Sequence, residues 1–325
     1  MAFKPLPSTA PYAHRVSRIT SVPTLLVVAV LSACGGNDTT DTTTTTEGSI
    51  PTSTVTAASS TTTSTAGSST TTADFTAGDP ADLLVVGDWG SGTLPQGAVA
   101  GAMFRYAEDH EVSAILTTGD NFYSDDREFL MEPYGWATES SIPFWIVWGN
   151  HDIESDSRID AVNQAFDDPP RWAVYEWGKI DVVVLDSNQM TSPQQGLFFL
   201  DAMGDSDRPT IVAMHHPPYS CAHEGSTTEL VDQVVEVLDD DVLLVLSGHE
   251  HVYQRFEHQG VAYVVTGGGG ATIYELSECP LDHPEPLAGE ATHHFLVLGQ
   301  MATGVEVTAI DVNGDPIDTF TVPFP

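Results

Sequence analysis

Short runs of apolar, largely β-branched or aromatic residues recur along the chain at 83–86, 113–117, 143–148, 182–185, 210–213 and 242–246, and they predict strands. Most are continuously apolar, the pattern of strands buried on both faces. Helix-length stretches at 95–110, 196–203 and 227–238 lie between them. After Gly248 the runs at 261–266, 293–298, 305–310 and 320–322 are separated by turn residues and predict antiparallel strands. The alternation predicts an α/β domain, with no internal repeat and no need for a second domain.

The beginning of the chain does not share this pattern. Lys4, Arg15 and Arg18 precede an apolar stretch at 25–31 that ends in Leu31-Ser32-Ala33-Cys34. A charged region, a short apolar region and small residues describe an export signal, too short to span a bilayer stably. The tetrapeptide resembles a bacterial lipobox, in which the cysteine becomes the lipid-modified first residue; an ordinary secretory signal with an incidental cysteine reads the same way. The expected division is therefore a signal at 1–33, a tether at 34–75 and a domain at 76–325. The tether is mostly Thr and Ser and cannot bury enough surface to offset its ordering entropy. About 40 such residues reach on the order of 35 Å, and a glycosylated stalk would have the same composition. The protein is expected outside the cell membrane, held by a lipid at Cys34 on the periplasmic or outer surface, or else secreted.

Composition narrows the partners. The domain of about 250 residues is a normal size for one full core. All three leader charges are basic, which leaves seven Lys and Arg against 46 Asp and Glu, a formal balance of −39. Such a charge disfavours nucleic acid and anionic membrane surfaces, so contact with a membrane is expected only through the anchor. No feature specifies an oligomeric state. Cys221 and Cys279 are the cysteines left after Cys34. In an exported chain they read either as a disulfide or as two buried thiols.

Five segments carry the chemistry: Gly87-Asp88-Trp89-Gly90, Gly119-Asp120-Asn121-Phe122-Tyr123, Gly149-Asn150-His151-Asp152, Val212-Ala213-Met214-His215 and Gly248-His249-Glu250-His251. Each follows a predicted strand, and ligands of α/β sheets sit outside the carboxyl ends of the strands. Asp88 and Asp120 offer carboxylates, Asn150 an amide oxygen, Tyr123 a phenol, and His215, His249 and His251 imidazole nitrogens. Alone, each segment reads as a polar turn. Together they supply the ligands of two adjacent metal ions. His216, His258, His283, His293 and His294 read as structural or surface residues, and the glycines at 267–270 as a tight turn that lets backbone pass near the metals.

With these motifs the chain resembles the calcineurin-like metallophosphoesterases, and within them the purple acid phosphatases. The superfamily usually carries Asp-x-His in its first motif. Here Gly90 stands in the histidine's place, and the second motif gains Tyr123, the same two departures that purple acid phosphatases show. The resemblance covers about residues 80–310. It implies a four-layer αββα sandwich of two mixed β-sheets with the metal site at the carboxyl ends of the strands. It also implies that Asp88, Tyr123 and His251 bind a ferric ion, that Asn150, His215 and His249 bind a divalent ion (zinc, manganese or ferrous iron), and that Asp120 bridges them. The implied activity is hydrolysis of small phosphomonoesters, with a phosphodiesterase, a nucleotidase or a non-catalytic surface lipoprotein as alternatives.

Two such cations would clamp the ester and acidify water to the attacking hydroxide. His151 is expected to contact phosphate, with Asp152 orienting its imidazole. His223, in a loop resembling the family's histidine-bearing one, is the candidate general acid. Cationic side chains are few, Arg255 among them, so phosphate binding would rest on metals and histidines.

Overall fold

The computed structural model describes residues 81–204, 208–238, 240–280 and 283–325. The leader and the Thr/Ser-rich segment lie outside the described residues, and with them Cys34. Among the described residues no helix is long and apolar enough to cross a membrane.

Thirteen strands are described: β1 (Asp82–Val86), β2 (Val112–Thr117), β3 (Phe144–Trp145), β4 (Ala173–Trp177), β5 (Ile180–Val184), β6 (Thr210–Ala213), β7 (Val242–Ser247), β8 (Tyr253–His258), β9 (Val261–Thr266), β10 (Ala288–Glu290), β11 (His294–Met301), β12 (Gly304–Asp311) and β13 (Pro316–Pro323). The helices are α1 (Leu94–Asp109), α2 (Arg127–Met131), α3 (Gly135–Glu139), α4 (Asp156–Phe166), α5 (Pro193–Gly204) and α6 (Glu229–Gln233). One sheet has the order β13-β12-β11-β1-β2-β3, the other β10-β8-β9-β7-β6-β5-β4. Both are mixed. β1, β2 and β3 are parallel, as are β5, β6, β7 and β9, and the flanking strands run antiparallel.

Alternation inside each strand builds the layers. Leu83 and Val85 of β1 pack between the sheets with Val182, Val184, Ile211, Leu244 and Leu246. Their neighbours Leu84 and Val86 pack outward against Val99 and Met103 of α1 and Val162 of α4. On the other sheet Val183, Val212 and Val245 pack outward against Phe199 and Met203 of α5 and Leu230 of α6. Both faces are therefore dry, which is why the strands read as unbroken apolar runs. Each such side chain contributes about 1.5–3 kcal/mol of burial. The result is the four-layer αββα sandwich.

Three departures from the expected elements have local causes. The run at 143–148 forms a two-residue ladder at Phe144–Trp145. Beyond it, Val147 N–H donates to Thr117 Oγ1 (3.1 Å) and Asn121 Nδ2 donates to Val147 O (2.8 Å), so side chains replace the ladder. The stretch at 227–238 is helical only over Glu229–Gln233, followed by a 3₁₀ turn at Val235–Val237. Its start has no side-chain cap and its valines are poor helix formers. β9, expected in an antiparallel group, is antiparallel to β8 but parallel to β7. Cys221 and Cys279 form a disulfide, Cα–Cα 4.8 Å.

Candidate metal centre

β1, β2 and β3 of one sheet and β6 and β7 of the other deliver the five segments to a common edge. Backbone bonds fasten the delivered loops to one another: Asp88 N–H to Gly119 O (3.0 Å), Gly248 N–H to His215 O (2.9 Å) and Ala271 N–H to Asp88 O (2.9 Å). Asp88, Asp120 and His249 have φ of 55°, 49° and 68°, the left-handed region that non-glycine residues occupy at an energetic cost. That turn aims each side chain back across the strand ends.

Two clusters result. In the first, Tyr123 Oη lies 3.3 Å from Asp88 Oδ1 and 3.1 Å from His251 Nε2, and His251 Nε2 lies 3.3 Å from Asp88 Oδ1. His251 Nδ1–H donates to Thr272 O (2.7 Å), which leaves Nε2 with its lone pair facing the cluster. In the second, Asn150 Oδ1 lies 2.9 Å from His215 Nε2 and 3.1 Å from His249 Nδ1. Asp120 joins them: its Oδ1 is 3.4 Å from His215 Nε2, and its carboxylate also bonds the Tyr123 phenol. All seven expected ligands are brought together.

The donor set fits cations on a specific point. His215 Nδ1–H donates to Thr118 O (2.8 Å), so Nε2 is unprotonated and its lone pair faces the amide oxygen of Asn150. Two lone pairs at that distance repel unless a cation lies between them. The carboxylates pose the same problem. Burial, then the charges of Asp88 and Asp152, push Asp120 well above the usual carboxyl range. Burial, then the charges of Asp88 and Asp120, push the Tyr123 phenol upward. Burial also holds His249 at about 4 and lowers His215. His251 is the exception: burial opposes its charge, but the bond and charge of Asp88, the Thr272 carbonyl and the charge of Glu250 together outweigh it and raise the imidazole. Carboxylate, phenol, amide and imidazole donors gathered in two adjoining clusters fit a pair of metal ions.

The surrounding residues divide. The His151 ring packs against Tyr123, centroids 4.6 Å apart, and its backbone N–H donates to Asp120 (2.9 Å). Its Nδ1 bonds Glu154 (3.1 Å), and Arg158 bonds both Glu154 and the His151 carbonyl. The orienting role expected of Asp152 is thus filled by Glu154. Asp152 is buried and instead accepts from Gly149 N–H (2.8 Å), Phe122 N–H (3.0 Å) and Asn121 Nδ2 (2.7 Å), clasping two ligand loops together. His223 is on the rim, its side chain 67% exposed, with its ring 5.0 Å from Tyr274, which stacks on His251 at 4.2 Å. Glu250, buried between two ligands, accepts the Gly225 N–H and so anchors the His223 loop. Arg255 pairs with Asp318 (2.7 Å) and lies over the Phe320 ring, away from the centre.

The glycine run does pass close: a Cβ on Gly267 would come 2.7 Å from Asp88 Oδ2. His294, buried at the start of β11, bonds Thr266 Oγ1 (3.1 Å) behind that run. His283 bonds Ser226 Oγ, and His293 bonds Gly268 O, near enough to the cluster for the charge of His251 to act on its ring. His216 is closer than its expected structural role requires. One ring nitrogen of each of His215, His216 and His249 lie within 4.8 Å of one another. Its position directly after a ligand was the available signal. Glu154 and Glu250 carried none, because both act on neighbours that only the folded loops provide.

The family description "calcineurin-like phosphoesterase" matches residues 81–253, more than half of the 325 residues and all five ligand segments. The chain belongs to the calcineurin-like phosphoesterases. This phosphoesterase is a hydrolase of phosphate esters, of a family that depends on two metal ions. It is similar to purple acid phosphatase 7 of Arabidopsis thaliana, 27% identical over 241 residues that cover 62% of this chain and 74% of the relative. It is also similar to a probable cyclic nucleotide phosphodiesterase of Rhodococcus erythropolis, 30% identical over 158 residues that cover 42% and 51%. Its fold matches that of a purple acid phosphatase from yellow lupin seeds, TM-score 0.59 at 17% identity, over 74% of this chain and 53% of the other.

Proposed function

We propose that this phosphoesterase is a phosphomonoesterase of the purple acid phosphatase kind. Asp88, Tyr123 and His251 would hold a ferric ion, Asn150, His215 and His249 a zinc, manganese or ferrous ion, and Asp120 would serve both. The observation that carries the reading is the Tyr123 phenol between Asp88 and His251, beside a first motif in which Gly90 leaves no room for a side chain. When bound, the metal pair supplies the charge that polarises the ester and acidifies the attacking water. The chain does the rest. Asp88 and Asp120 offset the charge of the cations, and His151, steadied by Glu154 and Arg158, donates to a phosphate oxygen. His223 gives its proton to the departing alkoxide. Arg255 is committed to Asp318, so specificity for the ester's organic group is broad.

Paired kinetics test this. The metal-loaded protein should hydrolyse p-nitrophenyl phosphate with kcat/KM at least about 100-fold above bis(p-nitrophenyl) phosphate. Comparable or faster diester cleavage would favour the second reading, a phosphodiesterase, which the Rhodococcus relative supports. We also propose that Cys34 carries a lipid that holds the domain outside the membrane. Cys34→Ser should then move the protein from the membrane fraction to the soluble one, and an unchanged distribution would refute the anchor.

A further inference from the structure

His216 follows a metal ligand, yet it is turned into the same centre. Its ring lies 4.6 Å from that of His249 and 5.0 Å from that of His215. Unlike His215, which is fully buried, it is partly open to solvent. Ser187, in the loop after β5, holds it twice. The Ser187 hydroxyl accepts the His216 backbone N–H (3.0 Å) and lies 2.8 Å from His216 Nδ1.

That double contact favours one placement of the ring's proton. The hydroxyl already accepts the backbone N–H, and donating its own hydrogen to Nδ1 uses both its donor and its acceptor capacity, with the single N–H of the neutral imidazole on Nε2. A protonated nitrogen cannot ligate a metal, and the other nitrogen is engaged by Ser187. In that tautomer the ring is a hydrogen-bond donor beside the Asn150–His215–His249 cluster rather than a further ligand.

We propose that His216 is a further substrate-binding residue, whose Nε2–H donates to a phosphate-ester oxygen on the Asn150 and His249 side of the centre, with Ser187 as the positioning residue that sets its tautomer. The proposal rests on the phosphate-ester reading of the site. It gives the phosphoryl group a neutral donor beside His249, in addition to His151 beside Tyr123, in a protein whose cationic side chains are scarce. One hydrogen bond to a charged phosphate oxygen corresponds to roughly a 10–100-fold effect.

The test uses the full chain loaded with iron and zinc, with orthophosphate as the probe, and measures phosphate affinity by calorimetry, bound metal by elemental analysis, and kcat and KM on p-nitrophenyl phosphate. His216→Ala should weaken orthophosphate binding and lower kcat/KM, each about 10-fold or more, with both metals retained. His216→Gln, whose amide N–H can reach the place of Nε2–H, should recover most of the loss, and Ser187→Ala should give an intermediate loss. Loss of one metal equivalent in His216→Ala would make the residue a ligand and overturn the proposal. Unchanged phosphate affinity, or a glutamine variant no better than alanine, would overturn it too. If the unaltered protein binds orthophosphate but cleaves neither mono- nor diester, the hydrolase reading fails while the binding comparison still decides the role of His216.

Discussion

The phenol oxygen of Tyr123 sits 3.1 Å from Nε2 of His251, and both touch the same carboxylate oxygen of Asp88 at 3.3 Å. A phenol placed there becomes a phenolate only under a strongly acidic cation, because burial and two carboxylates otherwise keep it protonated. Iron-loaded protein should show a visible absorption band that disappears in Tyr123→Phe. A colourless protein, fully active with zinc or manganese alone, would remove the ferric assignment and leave the phosphoesterase fold untouched.

Gly90 occupies the place where the superfamily usually has a histidine. An added Cβ there would overlap the carbonyl of Asn121, in a loop whose own Gly90 carbonyl accepts the Tyr123 N–H at 2.9 Å. Gly90→Ala must push the first two ligand loops apart. We expect a loss of about 3 kcal/mol in unfolding free energy, with weaker metal retention, measured by denaturant titration and metal analysis. A variant as stable as the parent would show that the loops yield freely.

If His223 protonates the leaving group, its removal should matter most where the leaving group is poor. His223→Ala should slow an alkyl phosphate by roughly 100-fold or more but p-nitrophenyl phosphate by much less. Equal losses on both substrates would assign His223 to binding instead.

His294 is buried behind the glycine run, donating from Nδ1 to Thr292 O (2.9 Å) and facing Thr266 Oγ1 with Nε2. Burial holds it at about 4, below the ordinary histidine value of 6.5. The unfolded chain therefore takes up the proton first, and folding stability falls as the pH drops from 6.5 towards 4. The contribution, complete above pH 6.5, amounts to about 3 kcal/mol. Denaturant titrations of metal-free protein should show a shallower loss over that window in His294→Gln. Parallel pH curves for parent and variant would count against it.

The Cys221–Cys279 disulfide closes a segment of 58 residues that runs from the His223 loop to the stretch after Tyr274. Restricting a loop of that length in the unfolded chain stabilises the fold by about 4 kcal/mol. Ser277 N–H also donates to Cys221 O (2.9 Å), so the two loop segments are held together locally. Cys221→Ala with Cys279→Ala should lower the thermal midpoint by several degrees and reduce activity on alkyl phosphates more than metal content. A midpoint unchanged from that of the parent would mean the bridge adds nothing to stability.

Much of the candidate site was legible because its signals are local. An apolar run specifies a strand whatever its partners, and a Gly-Asp or Gly-Asn after it exposes a polar side chain at the strand's carboxyl end. That pattern places Asp88, Asp120, Asn150, His215 and His249 at the strand ends. The same pattern placed β1, β2, β6 and β7 within a residue or two of their ends. What sequence alone determined is thus which residues reach the sheet edges, and in what order. The tertiary structure decided how they meet. It stacked two sheets so that β1, β2 and β3 face β6 and β7, and it paired β9 in parallel with β7. It also gave the ring of His151 to Glu154 while burying Asp152 as a clasp, turned Arg255 to Asp318, and brought His216 beside His249. These outcomes depend on left-handed turns at Asp88, Asp120 and His249 and on packing across two sheets, neither of which leaves a periodic trace along the chain.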